Sequence, residues 1–218
     1  MKIQALYVDH MGSDLTVVNA ARISFGRKHE ELTDGDIKLI EYLAKNEHLS
    51  PFEHCSMTAI IECPLYIRSQ IHRHRTFAYN EVSRRYTADD LEFYIPPPDD
   101  IRAQSKSNKQ ASEGPIGLDE SSAAYRLMKE QVEQSEVVFN TLINMGIARE
   151  QARGFLPQCL MTKFFMTGNL RNWVHFVRLR DHSHAQKEVQ VIAKEVKSIL
   201  MDKFPRAAEA LFKYQTKT

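Results

Sequence analysis

The sequence contains little that would direct it to secretion, to a membrane or to nucleic acid. Its 218 residues include only three cysteines, Cys55, Cys63 and Cys159, without a C-x-x-C spacing; this predicts reduced thiols and a cytoplasmic protein. The N-terminus lacks the apolar segment of a signal peptide, and no run of about 18 apolar residues predicts a membrane span. The net charge of +1 gives no overall attraction to nucleic acid or acidic lipid. We therefore expect neither a nucleic-acid partner nor a membrane partner.

Several common catalytic and cofactor motifs are also absent. There is no Gly-x-Ser-x-Gly elbow, no cysteine in a recognisable nucleophile motif, no G-x-G-x-x-G and no P-loop. Two pairs, His72 with His74 and His182 with His184, could offer imidazoles to a metal. Arginines beside both pairs would repel a cation, and no carboxylate-rich spacing accompanies them. We predict no metal site, and a metal site is kept as the weaker alternative.

What the sequence does contain is typical of a folded globular protein, with 43% apolar and 26% charged residues. Its length favours one domain, residues 1–218. Apolar residues at helical spacing, often behind a capping residue, predict helices over 12–24, 33–46, 64–75, 119–145, from 148, 169–178 and 185–201. Runs of β-branched and apolar residues predict strands over 56–62 and 160–167. Together these elements predict a helix-rich α+β fold with few strands.

Two local predictions concern the surface. Residues 97–118 are rich in proline, serine, lysine and asparagine and cannot bury much apolar area, so we expect a long surface loop there. A helix over 64–75 would place Arg68, His72 and Arg75 at i, i+4 and i+7, on one face. One side of that helix is therefore predicted to be cationic.

Arginine is concentrated between residues 68 and 85, where the sequence carries five arginines and a single acid. The arginines are Arg68, Arg73, Arg75, Arg84 and Arg85, and the acid is Glu81. A guanidinium group is planar, permanently charged and able to make two hydrogen bonds to phosphate oxygens at once. This density therefore favours a phosphorylated ligand, with a solvated charged face or intersubunit ion pairs as the alternative.

A second polar cluster lies in the last third of the chain. It includes Arg149, Arg153, Asn169, Arg171, Arg178 and Arg180, followed by Asp181 to His184. Charges held near a core cost free energy unless they are paired or bind a ligand. The cluster is predicted to form a second wall of an anion-binding site, although structural salt bridges would explain any single member.

The segment from Arg73 to Tyr86 reads RHRTFAYNEVSRRY and resembles the signature of the flavin-dependent thymidylate synthases. It has their R-H-R, seven residues and then serine, with N-E before the serine and R-Y after it. Further matching segments are ARISF at 21–25, SPFEH at 50–54, FYIP at 93–96, REQAR at 149–153 and SHAQ at 183–186. The resemblance covers nearly the whole chain.

This resemblance implies a helix-rich α+β domain with a small, mostly antiparallel sheet, assembled as a homotetramer with active sites shared between subunits. It implies conversion of dUMP to dTMP with methylenetetrahydrofolate as the one-carbon donor. FAD would be the cofactor, NADPH would be the reductant that acts through FAD, and no enzyme nucleophile would be needed.

The resemblance also assigns residues. Arg180 would be catalytic, contacting the uracil ring and helping to ionise it, and Arg73 would lie between uracil and flavin. The dUMP-binding set would be Gln70, Arg73, Glu81, Ser83, Arg84, Arg85, Arg153 and Arg180. The FAD-binding set would be Ser50, Arg73, His74, Arg75, Glu81, Asn169, Arg171 and His175, with His48 on the folate-facing side of the flavin.

Some residues depart from the family pattern. Ala78 replaces a common serine, His175 stands where asparagine is expected, and Arg84 replaces a smaller residue. His74 could instead be a buried structural histidine. Two other functions are kept as alternatives: a nucleic-acid-binding module that stacks bases on Phe77, Tyr79 and Tyr86, and a related fold that binds flavin or nucleotide without catalysis.

Overall fold

The computed structural model of the chain describes residues 2–87, 91–109 and 111–214. The helices are α1 (Asp14–Arg22), α2 (Asp34–Lys45), α3 (Leu65–Ile71), α4 (Leu118–Asn144), α5 (Arg149–Ala152), α6 (Leu170–Arg180), α7 (Lys187–Lys203) and α8 (Pro205–Tyr214). The strands are β1 (Gln4–Met11), β2 (Ser56–Pro64), β3 (Ala78–Glu81), β4 (Arg102–Gln104), β5 (Ser112–Pro115) and β6 (Met161–Asn169). Short 3-10 helices occupy Ile23–Phe25, Ser50–His54, Pro98–Asp100 and Arg153–Phe155.

The main sheet has four strands in the order β1-β2-β6-β3, and every neighbouring pair is antiparallel. Along β2, Met57, Ala59, Ile61 and Cys63 are buried at alternate positions, as expected when one face of a strand meets the core. Helices α6 and α7 pack against this sheet, and α8 packs against α2. The predicted helix-rich α+β fold with a small antiparallel sheet is confirmed.

Capping explains why several helices begin where the sequence predicts. The Thr33 side chain accepts a hydrogen bond from the Asp36 amide at the start of α2, and the Asp36 side chain in turn accepts one from the Thr33 amide. Asn169 caps α6 by accepting from the Asn172 amide at 2.9 Å. Such reciprocal and single caps satisfy amides that a helix N-terminus leaves without partners.

The prediction that one helix runs from 64 to 75 is wrong, because α3 ends at Ile71. The Tyr79 hydroxyl donates to the carbonyls of Ile71 and His74, which fixes the chain in a turn before β3. Arg75 therefore lies outside the helix, and the predicted cationic face of Arg68, His72 and Arg75 does not form.

The prediction of a long surface loop over 97–118 also needs correction. This segment contains a 3-10 helix (Pro98–Asp100) and an antiparallel pair, β4 with β5, while Gln110 lies outside the described residues. Composition indicates how much apolar area a segment can bury but not whether its backbone pairs with itself. Here the Ser105 amide donates to the Ala111 carbonyl at 3.1 Å, and Ile101 is buried.

Within the described part of the chain, no helix is both long and apolar enough to cross a membrane.

Candidate active site

Arg180, at the end of α6, is hydrogen-bonded to two residues of the segment that begins in α3. Its Nε donates to His74 Nε2 at 3.0 Å, and its terminal nitrogen donates to the Gln70 carbonyl at 3.1 Å. Partial burial lowers the pKa of the Arg180 guanidinium, which nevertheless stays charged at neutral pH because arginine starts from 12.5. His74 and Gln70 thus hold the Arg180 guanidinium in a fixed orientation.

The Gln70 side chain extends this network to the N-terminus of α7. Its Nε2 donates to Gln186 Oε1 at 2.5 Å, and Gln186 is the N-cap residue of α7. The amide of Gln70 is therefore oriented by a residue that lies 116 positions away in the sequence.

His74 is buried and holds its neutral form over a wide pH range. Burial, and then the neighbouring Arg180 and His175, lower the pKa of His74 from 6.5 to about 4. A neutral ring is what the contact requires, because Nε2 must carry a lone pair to accept the Arg180 N–H. The structural role considered for His74 is therefore present in the structure.

The stability of the fold should depend on this histidine below neutral pH. Its folded pKa is depressed, so the unfolded chain binds more protons between pH 6.5 and 4, and the free energy of unfolding falls as pH falls through that range. The slope from one group is at most about 1.4 kcal/mol per pH unit. In His74→Gln, which can still accept from Arg180 but does not titrate, the urea-unfolding free energy should fall less steeply; parallel profiles would contradict the assignment.

Four of the predicted dUMP-binding residues line one cleft of about 650 Å³, which we call the arginine cleft. They are Glu81, Ser83, Arg84 and Arg153, and they are joined by Arg68 and Thr162. The segment after β3 supplies Ser83 and Arg84, while the 3-10 helix after α5 supplies Arg153. The three guanidinium groups and the Ser83 hydroxyl suit an anion with several oxygens, although the carboxylates of Glu81 and Glu150 also line the cleft.

The other predicted dUMP-binding residues are not in the arginine cleft. Gln70 and Arg180 belong to the network with His74 and do not line it. Arg85 is exposed, its backbone amide donates to Ser83 Oγ at 3.3 Å, and its guanidinium lies 6.0 Å from the Tyr86 ring centre. Within one chain the structure therefore separates the predicted nucleotide residues into two groups.

Three of the predicted flavin-side residues share a second cleft of about 740 Å³, which we call the His48 cleft. His48, Ser50 and Arg171 line it, together with Glu53. Arg171 makes an ion pair with Glu53 Oε1 at 2.5 Å, and both side chains are partly exposed. Because α6 rises about 1.5 Å per residue, it carries Arg171 at one end and Arg180 about 13 Å away at the other.

The remaining predicted flavin residues lie around these features. Asn169 is occupied as the cap of α6 through its Oδ1. His175 is exposed on α6, with its ring centre 6.4 Å from that of His74; burial and nearby Arg178 and Arg171 lower its pKa. Arg73 and Arg75 are exposed, and neither makes an ion pair with any residue in the described ranges.

Sequence reasoning gave no role to four residues that the structure places at the site. Arg68 is one of the five arginines between residues 68 and 85, and Glu53 and Gln186 lie in the SPFEH and SHAQ segments. Thr162 lies in a strand without any motif, so no signal in the sequence pointed to it. Contacts between distant segments identify all four: Arg68 and Thr162 with Glu81, Glu53 with Arg171, and Gln186 with Gln70.

The cysteines and the histidine pairs make other contacts. Cys55 and Cys63 are buried, and burial raises the pKa of both thiols, that of Cys55 to about 12. The His72 ring packs between Tyr79 and Phe164, at 4.3 and 4.9 Å between ring centres. Over residues 2–87, 91–109 and 111–214, no three His, Cys, Asp or Glu side chains are grouped as metal ligands.

Comparison with known proteins adds the family context of these residues. The family model described as thymidylate synthase complementing protein matches residues 7–206. A flavin-dependent thymidylate synthase of Thermosipho africanus is 38% identical over 213 residues, which are 96% of this chain and 91% of the relative. One of Thermus thermophilus is 38% identical over 200 residues, covering 92% of this chain and 72% of the relative.

Among solved structures, a UMP/dUMP methylase, PolB of Streptomyces cacaoi, bound with 5-Br dUMP, is similar over most of its length. The TM-score is 0.88 at 33% identity, with 98% of this chain and 96% of that chain covered. The same enzyme bound with 5-Br UMP gives a TM-score of 0.88 at 31% identity. These similarities extend to the α+β fold as a whole.

Proposed function

Because the chain belongs to the thymidylate synthase complementing protein family, we propose that it methylates dUMP to dTMP as a single flavin-dependent catalytic domain, residues 1–218. The chain is an enzyme of the flavin-dependent thymidylate synthase class, a methyltransferase. The observation that carries the proposal for this chain is the fixed Arg180 cation, held by His74 and Gln70. A cation held in a partly buried site stabilises negative charge that develops on a bound base.

The arginine cleft is proposed to hold the phosphate end of dUMP. Arg84 and Arg153 line it, and the exposed Arg85 follows directly in the chain. In the described residues the Ser83 hydroxyl accepts only from the Arg85 amide, so its own hydrogen is available for a phosphate oxygen. Ser83 is therefore assigned to binding and not to nucleophilic attack.

Two subunits are proposed to complete each active site. Arg73 and Arg180 would lie at the uracil ring and Gln70 at the phosphate, yet Gln70 and Arg180 lie outside the arginine cleft of the same chain. A homotetramer with shared sites would join the two groups. Exposed apolar side chains support an assembly: Ile23 (74% exposed), Phe25 (78%), Leu127 (67%) and Met145 (70%) are candidates for burial between subunits.

The His48 cleft and the exposed arginines are proposed to bind FAD. Arg73, Arg75 and Arg171 can pair with a diphosphate. His175, whose pKa is lowered, would be a neutral hydrogen-bonding partner, and Ser50 and Asn169 add polar groups. His48 lies in the cleft on the side proposed for methylenetetrahydrofolate. When bound, FAD reduced by NADPH supplies the hydride, and methylenetetrahydrofolate supplies the one-carbon unit.

The protein's own part in the reaction is binding, orientation and charge stabilisation. Arg180 would stabilise the uracil ring as it ionises, and neutral His74 keeps the guanidinium in place without adding a second positive charge. No enzyme nucleophile is proposed, since the buried Cys55 and Cys63 thiols have raised pKa values. Thiols in that state carry little thiolate at neutral pH.

The proposal is tested by visible spectroscopy of the purified protein after incubation with FAD and removal of the excess. We expect a flavin spectrum that bleaches with NADPH under anaerobic conditions and changes when dUMP is added. With methylenetetrahydrofolate present, chromatography should detect dTMP. Light scattering on the same sample should give four times the chain mass of 25.2 kDa.

The alternatives predict different results in this experiment. A protein that retains no flavin and makes no dTMP would overturn the proposal, and salt-dependent binding of oligonucleotides would then favour the nucleic-acid module. Flavin or dUMP binding without dTMP would favour a binding protein that lacks catalysis.

A further inference from the structure

The carboxylate of Glu81 is held by two residues to which the proposed reaction assigns no role. Glu81 ends β3 and faces the arginine cleft. The Thr162 hydroxyl donates to Glu81 Oε1 at 2.7 Å, and Arg68 Nε lies 3.2 Å from the same oxygen. Both contacts therefore fall on one of the two carboxylate oxygens.

Thr162 is the more buried of the two residues that hold Glu81. It is 4% exposed and is the second residue of β6, the strand that lies between β2 and β3. Arg68 lies on α3 with its side chain 33% exposed, and that of Glu81 is 24% exposed. A short, partly buried hydrogen bond to a carboxylate, such as that of Thr162 with Glu81, is among the stronger kinds found in proteins.

The family resemblance already assigns Glu81 to dUMP, where it would reach the sugar. We propose that Thr162 and Arg68 are positioning residues that fix Glu81 and leave its other oxygen to accept a hydrogen bond from that sugar's hydroxyl. Oε2 has no partner among the described residues. A carboxylate can only accept, and the 3′-hydroxyl of a deoxynucleotide can donate. This inference rests on the proposed function, since it places dUMP in the arginine cleft.

Thr162 allows a more specific test than Arg68, because its hydrogen bond can be removed with little change of shape. Valine has nearly the shape of threonine without the hydroxyl, whereas serine keeps the hydroxyl and loses the methyl group. Thr162→Val therefore removes the hydrogen bond to Glu81, and Thr162→Ser is the matched control that retains it. Neither substitution changes the charge of the cleft.

The experiment compares dUMP with an analogue that lacks the 3′-hydroxyl, by calorimetric titration of the FAD-loaded enzyme. We expect the wild-type protein to bind dUMP about tenfold more tightly than the analogue, as for one hydrogen bond to a charged group. Thr162→Val should lose most of this preference and leave the affinity for the analogue unchanged. Thr162→Ser should restore the preference.

Each other outcome is decisive. Equal weakening of both ligands in Thr162→Val would show a structural role and overturn the inference, as would a wild-type protein that makes dTMP without distinguishing the ligands. A wild-type protein that binds neither ligand and makes no dTMP would overturn the proposed function itself. If Thr162→Val does not fold, Arg68→Gln should show the same loss of preference, and an unchanged preference there would overturn the inference.

Discussion

Replacing Arg180 with alanine should lower the rate of dTMP formation by at least about a hundredfold while leaving a folded, flavin-binding protein. Removing one preorganised charge-stabilising donor from an active site typically costs a factor of about 10² to 10³. Arg180 meets the geometric condition for such a donor, because contacts to His74 and to the Gln70 carbonyl orient it before any ligand binds. Steady-state assays of dTMP formation, at dUMP concentrations that saturate the variant, give the change in kcat.

A control variant should show that the loss of activity comes from the place of Arg180 in the fold and not simply from the removal of one arginine. Arg206 is on α8, its side chain half exposed and paired with Glu209, and Arg206→Ala removes the same chemical group far from the proposed chemistry. It should retain the wild-type rate. Full activity of Arg180→Ala would remove the catalytic role proposed for this residue.

The sequence indicates candidate site residues but not the side chains that hold them in place. The RHR motif and the later polar cluster with Arg178 and Arg180 indicate two cationic segments that converge, and the structure does join Arg180 to His74. Burial keeps the His74 ring neutral, so that its Nε2 can accept the Arg180 hydrogen bond. The spacing of residues along the sequence does not report burial. The sequence does not indicate Thr162 either, because its contact with Glu81 depends on β6 pairing with β3.

In the fold, too, the sequence predicts features that depend on neighbouring residues and misses features that depend on contacts between distant segments. Helices with a capping residue, such as α2 after Thr33 and α6 after Asn169, begin where the sequence predicts. The prediction missed β1, β3 and α8, and it missed β4 and β5 within the predicted loop. The start of α8 depends on Asp14, whose carboxylate accepts from the amides of Arg206 and Ala207. A cap supplied from 192 residues away leaves no local signal.

Gly168 offers a second large and specific effect, because replacing it with alanine should destabilise the protein by about 2 kcal/mol or more. A Cβ at this position of β6 would lie 2.4 Å from the Phe77 ring. Phe77 cannot easily move away, since its ring is buried against Trp173 at 4.7 Å between centres. Overpacking a filled core costs about 1–3 kcal/mol and occasionally more.

A matched glycine separates this clash from the general effect of the substitution. Gly114 lies on the exposed strand β5, where an added Cβ would meet no atom within 4 Å, and glycine in a strand is less favourable than alanine by about 0.5–1 kcal/mol. Gly114→Ala should therefore be neutral or slightly stabilising in urea unfolding. Gly168→Ala is thus expected to lower the free energy of unfolding, and Gly114→Ala is expected not to lower it.

The Gly168→Ala variant also tests whether packing under the RHR segment supports the site. Phe77 is three residues beyond His74, with 6.5 Å between the ring centres, and both rings lie near Phe176 on α6. A displaced Phe77 ring should disturb His74 and, through it, Arg180, so flavin retention and dTMP formation should fall together with stability. A variant that loses stability but keeps full activity per folded molecule would show that the Arg180–His74 contact is held by α3 and α6 without help from Phe77.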